Sequence, residues 1–324
     1  MRMHKFTCLI LAALLLLCGC GSGGSERIDD TRVPQGLFTR TGSAEEMVAE
    51  ESKDLGPYVA PEYADAAFHA ELALGDEDVK IDLSGSGQGY VGVSAVAEHR
   101  LKFQVIKDDA TYNYDIASDG KPSIFPLQSG DGDYRFRVME NVVDSKYAEK
   151  YSVTVSVTLD DEFQPFLRPS DYVNYSRDSA CVKKAAELAQ TAGDALGLIA
   201  SVYGFVCATV KYDAQKAATV QSGYLPDPDE TMQSGLGICF DYASLAAAML
   251  RSQGIPTKEI FGYVSPDGLY HAWNMIYTEE TGWITVSYEL RGDSWNRMDL
   301  TFSANGADSR FIGDGSNYSD LYFY

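Results

Sequence analysis

The segment GLGICFDYASLAAAMLRSQGIP, residues 235–256, decides the fold of the C-terminal half of this 324-residue chain. A glycine-rich turn leads to Cys239, and the apolar residues after it recur at helical spacing. Gly254 and Pro256 are typical of the end of a helix. The segment therefore predicts a helix that begins at Cys239. Asp241 is expected to be a structural residue of its first turn, because negative charge suits a helix N-terminus.

Two later strings add an imidazole and a carboxylate to this thiol. YHAWNMIY, residues 270–277, carries His271, and WNRMDLTF, residues 295–302, carries Asp299 after a strand-like run. Covalent acyl transfer uses a thiolate nucleophile, an imidazole that exchanges protons and a carboxylate that orients the imidazole. A helix N-terminus also lowers the pKa of a thiol, so the sequence predicts a reactive Cys239.

Each of these residues also has a purely structural interpretation. A cysteine at the start of a helix and a histidine in a strand are more often packed core residues than catalytic groups. Of the four histidines, His271 is the one in the C-terminal half, and it lies within the HAW string. When His271 is considered together with Cys239, a catalytic role and a structural role for these residues are about equally favoured.

The three strings resemble the transglutaminase-like superfamily, which has a papain-like cysteine fold. The matching residues are GICFDYA at 237–243, HAW at 271–273 and WNRMDLT at 295–301. The resemblance covers roughly residues 180–305. It implies an α+β domain in which helices that carry the cysteine pack on a sheet that carries the histidine and the acid.

The resemblance also implies a role for each member of the triad. Cys239 is the nucleophile, His271 the general base and acid, and Asp299 the carboxylate that orients the imidazole. Many members of the family place the acid earlier, after a Gly-Trp string, where this chain has Ser287. The residues between are expected to form an extra hairpin, and Glu289 is the alternative acid.

The N-terminus resembles a bacterial lipoprotein signal. Its apolar run, Cys8 to Leu17, is too short to span a membrane, which takes about 20 residues. The LCGC string at 17–20 resembles a lipobox, so Cys20 is expected to carry lipid. We therefore expect residues 1–19 to be a signal peptide and 20–55 a flexible tether. The mature chain is expected to be extracytoplasmic and lipid-anchored to the bacterial cell membrane.

The composition of the chain limits the classes of partner and cofactor that it is expected to bind. The formal net charge of −21 argues against nucleic acid, so a protein or peptide substrate at the cell surface or wall is expected. The sequence has no C-x-x-C string and scattered histidines, so no metal or cofactor is expected. Cys181 and Cys207 either form a disulfide or pack separately as core residues.

The pattern of apolar and turn residues along the sequence divides the chain into two parts. Residues 56–160 contain short β-branched and aromatic runs between turn residues, which predicts a small β-sandwich of immunoglobulin-like architecture. Residues 161–324 are expected to form the transglutaminase-like α+β domain. Its first segment, 161–176, is a proline-broken link whose apolar residues are expected at the domain interface: Phe163, Phe166, Leu167 and Tyr172.

Taken together, the sequence predicts a cell-surface cysteine acyl-transfer enzyme. It would be a peptide or amide hydrolase or a transglutaminase, acting through a thioester on Cys239. The alternative is a non-catalytic binding or scaffold module that keeps the transglutaminase-like fold without its chemistry.

The lipobox is tested by replacing its cysteine. Cys20→Ser removes the thiol that would carry the lipid, so the variant should leave the membrane fraction and partition into the aqueous phase of a detergent separation. Cys8→Ser is the matched control and should stay with the membrane. A Cys20→Ser protein that still enters the detergent phase would contradict the assignment.

Overall fold

The computed structural model describes residues 56–264, 269–291, 294–301 and 318–324. For residues 287–291 and 294–301 it describes the backbone alone. The predicted signal peptide, the tether and Cys20 lie outside the described residues.

The N-terminal part is built of strands, as the sequence predicts. Between residues 56 and 160 the structure has eight strands: β1 (Leu74–Gly75), β2 (Val79–Asp82), β3 (Tyr90–Ala95), β4 (Leu101–Lys107), β5 (Ala110–Ile116), β6 (Ser123–Pro126), β7 (Gly132–Val143) and β8 (Lys146–Val157). They form two antiparallel sheets, in the orders β1-β2-β3-β6 and β5-β4-β7-β8.

Alternation along the strands gives each sheet a buried face. In β4, Leu101, Phe103 and Val105 are buried while the residues between them are half-buried. These residues share one hydrophobic cluster with buried residues of the other sheet, such as Val79 and Val91. The strand-rich character is thus confirmed, and the immunoglobulin-like architecture stays a prediction.

The C-terminal part mixes helices with a sheet. Its described helices are α1 (Ala180–Ala189), α2 (Ala195–Thr209), α3 (Ala214–Thr219), α4 (Pro228–Ser234) and α5 (Cys239–Arg251). Its strands are β9 (Lys211–Tyr212), β10 (Leu236–Gly237), β11 (Thr257–Val264), β12 (Leu269–Thr278), β13 (Gly282–Arg291), β14 (Ser294–Thr301) and β15 (Tyr318–Phe323). The last five form an antiparallel sheet in the order β14-β13-β12-β11-β15. The predicted extra hairpin is confirmed as β13 and β14.

Helix α5 is the centre of this part. Every residue from Asp241 to Arg251 is buried, and the helix packs on β11 and β12 and on the other helices. Arg251, at its C-terminal end, donates to the backbone carbonyls of Thr257 at 2.8 Å, Arg168 at 3.0 Å and Tyr324 at 2.8 Å. A buried guanidinium with this many partners joins the helix to the link, to β11 and to the residue that follows β15.

The link packs against the sheet, as its apolar residues predict. The ring of Phe163 lies 4.3 Å from that of Tyr277, and Phe166 meets Trp283 edge-on at 5.6 Å. Tyr172 stacks on the ring of Tyr324 at 4.1 Å.

The two parts share a hydrophobic cluster. Tyr114 of β5 contacts Tyr172 at 5.6 Å and Tyr324 at 5.7 Å. Ala243 of α5 and Ala272 of β12 belong to the same cluster as the buried strand residues of the N-terminal part. The predicted division near 161–176 stays a prediction, but the side chains of the link are held on both sides.

Because these contacts immobilise the link, limited proteolysis should cut between 161 and 176 slowly. Phe166→Ala should destabilise the protein by about 3 kcal/mol and speed this cleavage, since it removes a buried ring. Replacing the exposed Val59 by Ala is the control and should change neither rate nor stability. Rapid cutting of the unaltered link would contradict the packing.

Candidate active site

The turn before α5 sets the position of Cys239. Strand β10 ends at Gly237, Ile238 caps the helix with an extended backbone, and Cys239 is the first helical residue. A Cβ atom at residue 237 would lie 2.8 Å from the Cβ of Asp241, so this close approach requires glycine. The Asp241 carboxylate accepts the Ile238 N–H at 2.7 Å, which gives it the structural role that the sequence predicts.

Asp241 is fully buried, and two further side chains satisfy its carboxylate. Lys216 Nζ, on α3, lies 2.9 Å from Oδ1 and 2.8 Å from Oδ2. Tyr224, between α3 and α4, donates its hydroxyl to Oδ1 at 2.5 Å and accepts a bond from Lys216 at 2.6 Å. Burial, and after it the Asp241 carboxylate, raises the pKa of Tyr224, so this hydroxyl stays a donor.

Cys239 lies against the strand that carries His271. The backbone N–H of Ala272, the next residue along β12, is close enough to Cys239 to lower the pKa of its thiol. Ala272 is in register with Phe261 of β11, and the ring of Phe240 meets Phe261 edge-on with centroids 4.8 Å apart. His271 itself is buried. The structure therefore brings the predicted nucleophile to the segment that holds the predicted base.

The resting thiol has a different charge state from the one that the helix N-terminus predicts. Burial raises the pKa of the Cys239 thiol to about 11, although the N–H groups of Ala272 and Phe240 lower it. The carboxyls of Asp241 and Glu259 raise it as well. The prediction of a lowered pKa is wrong for this state, because burial outweighs the helix N-terminus. At neutral pH the thiol keeps its proton and needs a base to lose it.

The backbone locates the candidate acids on the hairpin. Asp299 of β14 is in register with Ser287 of β13, and Glu289 is in register with Arg297. The side chains of these residues lie outside what the structure describes. The choice of Asp299, with Glu289 as the alternative, therefore stays a prediction.

Glu259 is a buried carboxyl near the thiol that sequence reasoning missed. It lies on β11 between Thr257 and Phe261, which are buried on the same face of the strand. Neither carboxyl oxygen has a hydrogen-bond partner among the described residues. Burial raises its pKa well above the usual range, and the charge of Arg251 lowers it only in part. A charged residue in a strand usually faces solvent. The one sequence signal that Glu259 is buried is that it alternates along the strand with neighbours that are buried.

Asn274 is a second residue that the sequence does not single out. It accepts a bond from the Tyr203 hydroxyl at 2.7 Å and donates to the carbonyl of Ala243 at 3.2 Å. It therefore ties β12, three residues after His271, to α2 and α5. No motif marks an asparagine that acts as a buried bridge, so its role becomes visible only in the fold.

Other expected features can be checked within the described residues. Cys181 and Cys207 are free, so of the two alternatives they take that of separately packed residues. No group of three or more metal-binding side chains occurs in the described ranges. Among the helices that the structure describes, none is long and apolar enough to cross a membrane.

Comparison with known families identifies the C-terminal part. A family model described as the transglutaminase-like superfamily matches residues 182–288, a range that includes Cys239, His271 and the helix and strand that carry them. This region is a transglutaminase-like domain. No curated protein matches the chain.

Two solved structures are similar to this chain at low identity. One is described as a candidate cysteine protease from Cytophaga hutchinsonii, with 15% identity, a TM-score of 0.38, and coverage of 78% of this chain and 73% of that one. The other is red sea bream transglutaminase, with 13% identity, a TM-score of 0.26, and coverage of 76% of this chain and 51% of that one. The match thus spans about half the length of the sea bream enzyme.

Glu259 makes stability depend on pH in a definite direction. Its pKa is higher in the folded protein than in the unfolded chain, where it is about 4.3, so the folded state loses stability as the pH rises above that value. Glu259→Gln cannot ionise and should be more stable than the unaltered protein at neutral pH. This difference should shrink as the pH falls below about 4.3.

Urea unfolding of both proteins at acidic and neutral pH measures the difference. Glu187→Gln, on the exposed side of α1, is the matched control and should show no such pH dependence. A Glu259→Gln protein that is less stable at neutral pH would mean that the carboxylate is ionised and needed by Arg251.

Proposed function

We propose that this chain is a cysteine acyl-transfer enzyme, a peptide or amide hydrolase or a transglutaminase, with Cys239 as nucleophile. The observation that carries the proposal is the position of Cys239 at the first residue of a buried helix, in contact with the backbone beside His271.

In the proposed first step, His271 takes the proton of the Cys239 thiol as the sulfur bonds to the amide carbonyl carbon. The electron pair of the C=O bond moves to oxygen, and the backbone N–H of Cys239 donates to that oxyanion. When the pair returns, the C–N bond breaks and the imidazolium gives its proton to the leaving amine. The product of this step is a thioester on Cys239 and a free amine.

In the second step an acceptor attacks the thioester carbonyl and loses a proton to His271. The C–S bond breaks, and the sulfur takes the proton back from the imidazolium. Water as acceptor yields a carboxylic acid, and a lysine amine yields an isopeptide. Asp299 is proposed to orient the imidazole throughout, with Glu289 as the alternative acid.

The raised pKa of the thiol defines what His271 must do. A thiol that is neutral at rest reacts only when a base accepts its proton during attack, so catalysis should depend on neutral imidazole. Activity should therefore fall as acid protonates the imidazole.

We also propose where the enzyme acts. A lipoprotein signal over residues 1–19, with lipid on Cys20, would hold it outside the cytoplasmic membrane, so its substrate would be a protein or peptide at the cell surface or wall. The N-terminal strands share a hydrophobic cluster with Ala272 and Ala243, next to the thiol, and so would border the path of an approaching substrate.

A labelling experiment with intact cells tests the proposal. A peptide-like probe bearing a thiol-reactive carbonyl should label the unaltered protein, and Cys239→Ala should lose essentially all labelling and any hydrolysis while keeping its fold. Cys207→Ala is the matched control, since burial raises the pKa of that thiol to about 11 as well. It should be labelled like the unaltered protein.

A variant of the base separates the enzyme from a scaffold. His271→Asn should keep the fold but lower the labelling rate at neutral pH by at least about a hundredfold, because nothing else is proposed to take the thiol proton. If Cys239 is labelled equally fast with and without the imidazole, the chain is better described as a binding or scaffold module.

A further inference from the structure

Lys216, Tyr224 and Asp241 form a charged cluster around a buried carboxylate that the proposed chemistry does not use. It lies at the N-terminal end of α5, two residues from Cys239. The Asp241 side chain has no solvent exposure, and that of Lys216 is 28% exposed. The cluster therefore holds a full carboxylate charge inside the protein, paired with an ammonium that reaches it from the surface.

Each bond of the cluster fixes a different segment against the nucleophile. Asp241 holds the turn at Ile238, and Lys216 brings α3 onto the same carboxylate. The N–H of Lys216 in turn donates to Asp213 at 2.8 Å, and the N–H of Asp213 donates to the carbonyl of Gly237 at 2.9 Å. The connection from α3 thus returns to the residue just before the helix cap.

Tyr224 extends the cluster toward the N-terminal part of the chain. Its ring meets that of Phe240, the neighbour of Cys239, edge-on at 6.1 Å. Gly223, just before it, lies close to Asp115 of β5: a Cβ atom at residue 223 would be 3.7 Å from Oδ2. The loop that carries Tyr224 therefore lies between the N-terminal strands and the nucleophile.

Electrostatics gives the ammonium a role beyond holding the turn. A buried carboxylate two residues from a thiol opposes ionisation of that thiol, and an ammonium bound to both of its oxygens offsets the effect. Removing the ammonium alone would leave the negative charge of Asp241 uncompensated next to Cys239. Removing the carboxylate alone would leave a positive charge there instead.

We propose that Lys216 is a positioning residue for Cys239: it neutralises the buried Asp241 carboxylate and, with Tyr224, fixes the turn that presents the thiol. The role of nucleophile rests on the proposed function, but the charge relation between Lys216 and the thiol does not. It can be measured on the thiol itself, without turnover.

Several other groups face the thiol and must stay constant in such a measurement. These groups are Asp241 on the same helix, Glu259 on β11, Tyr270 on β12 and Tyr212 on β9. His271, beside Ala272 on β12, is the further titratable group. None of these except Asp241 bonds to Lys216 in the described structure, so variants of Lys216 leave them in place.

The experiment is the pH profile of Cys239 alkylation by iodoacetamide, followed by mass spectrometry of the peptide that contains it. Lys216→Met should raise the midpoint by about one pH unit and slow alkylation below it about tenfold. Lys216→Arg should keep the profile, because the charge remains. Asp241→Asn should shift the midpoint down, and the double variant Lys216→Met with Asp241→Asn should return it close to the original value.

Because the alkylation midpoint should shift in opposite directions in the two single variants, the experiment distinguishes this role from a structural one. Asparagine can still accept a hydrogen bond from the Ile238 N–H, so Asp241→Asn retains the helix cap. The direction of its midpoint shift therefore tests the proposal even if Lys216→Met fails to fold. Lys184→Met is the control for removing a lysine charge, since its ammonium pairs with Glu187 at 2.9 Å and lies 5.3 Å from the centre of the Phe205 ring, and its profile should not move. Single variants that shift the midpoint in the same direction, or not at all, would overturn the proposal.

If Cys239 proves inert toward amide probes but the midpoints shift as stated, the proposed function fails and the positioning role of Lys216 stands. If the probes react but the midpoints do not move, the positioning role of Lys216 fails and the proposed function stands. The two ideas therefore fail separately.

Discussion

A helix that is buried on every side must satisfy its charged ends inside the protein, and α5 is such a helix. Asp241 at one end binds Lys216, Tyr224 and the Ile238 N–H, while Arg251 at the other end donates to three carbonyls. Leaving either charge unpaired would cost several kcal/mol, so the surrounding segments are fixed relative to the helix. The link, the loop at 220–227 and the strands around β11 and β12 all take their positions from these two ends.

The same burial determines the chemistry that is open to Cys239. The helix presents its first residue, which is half-buried, against β12, and burial raises the pKa of the thiol to about 11. A nucleophile in that state depends on its neighbours: an imidazole to accept the proton, backbone N–H groups to stabilise charge, and a nearby carboxylate that must be neutralised. The N-terminal strands pack beside the thiol through the shared cluster that includes Ala272.

Much of this arrangement could be predicted from the sequence, because its signals are local. The helix at Cys239, the hairpin before Asp299 and the strand-rich N-terminal part follow from spacing and turn residues. The pKa of Cys239 could not be predicted, since it depends on burial by residues far away in the chain. Glu259, Asn274 and Lys216 were missed for the same reason: the surroundings of each are built by other segments of the chain, and no short motif records such an environment.

The central claim is that Cys239 forms a thioester with the help of His271, and trapping that intermediate tests it most directly. Intact-mass and peptide mass spectrometry after reaction with an activated amide or ester should find one acyl group, on the peptide containing Cys239. Its formation should slow strongly in His271→Asn, and hydroxylamine should release it as expected for a thioester. Acylation that falls equally on Cys207, or that forms equally fast without the imidazole, would contradict the account.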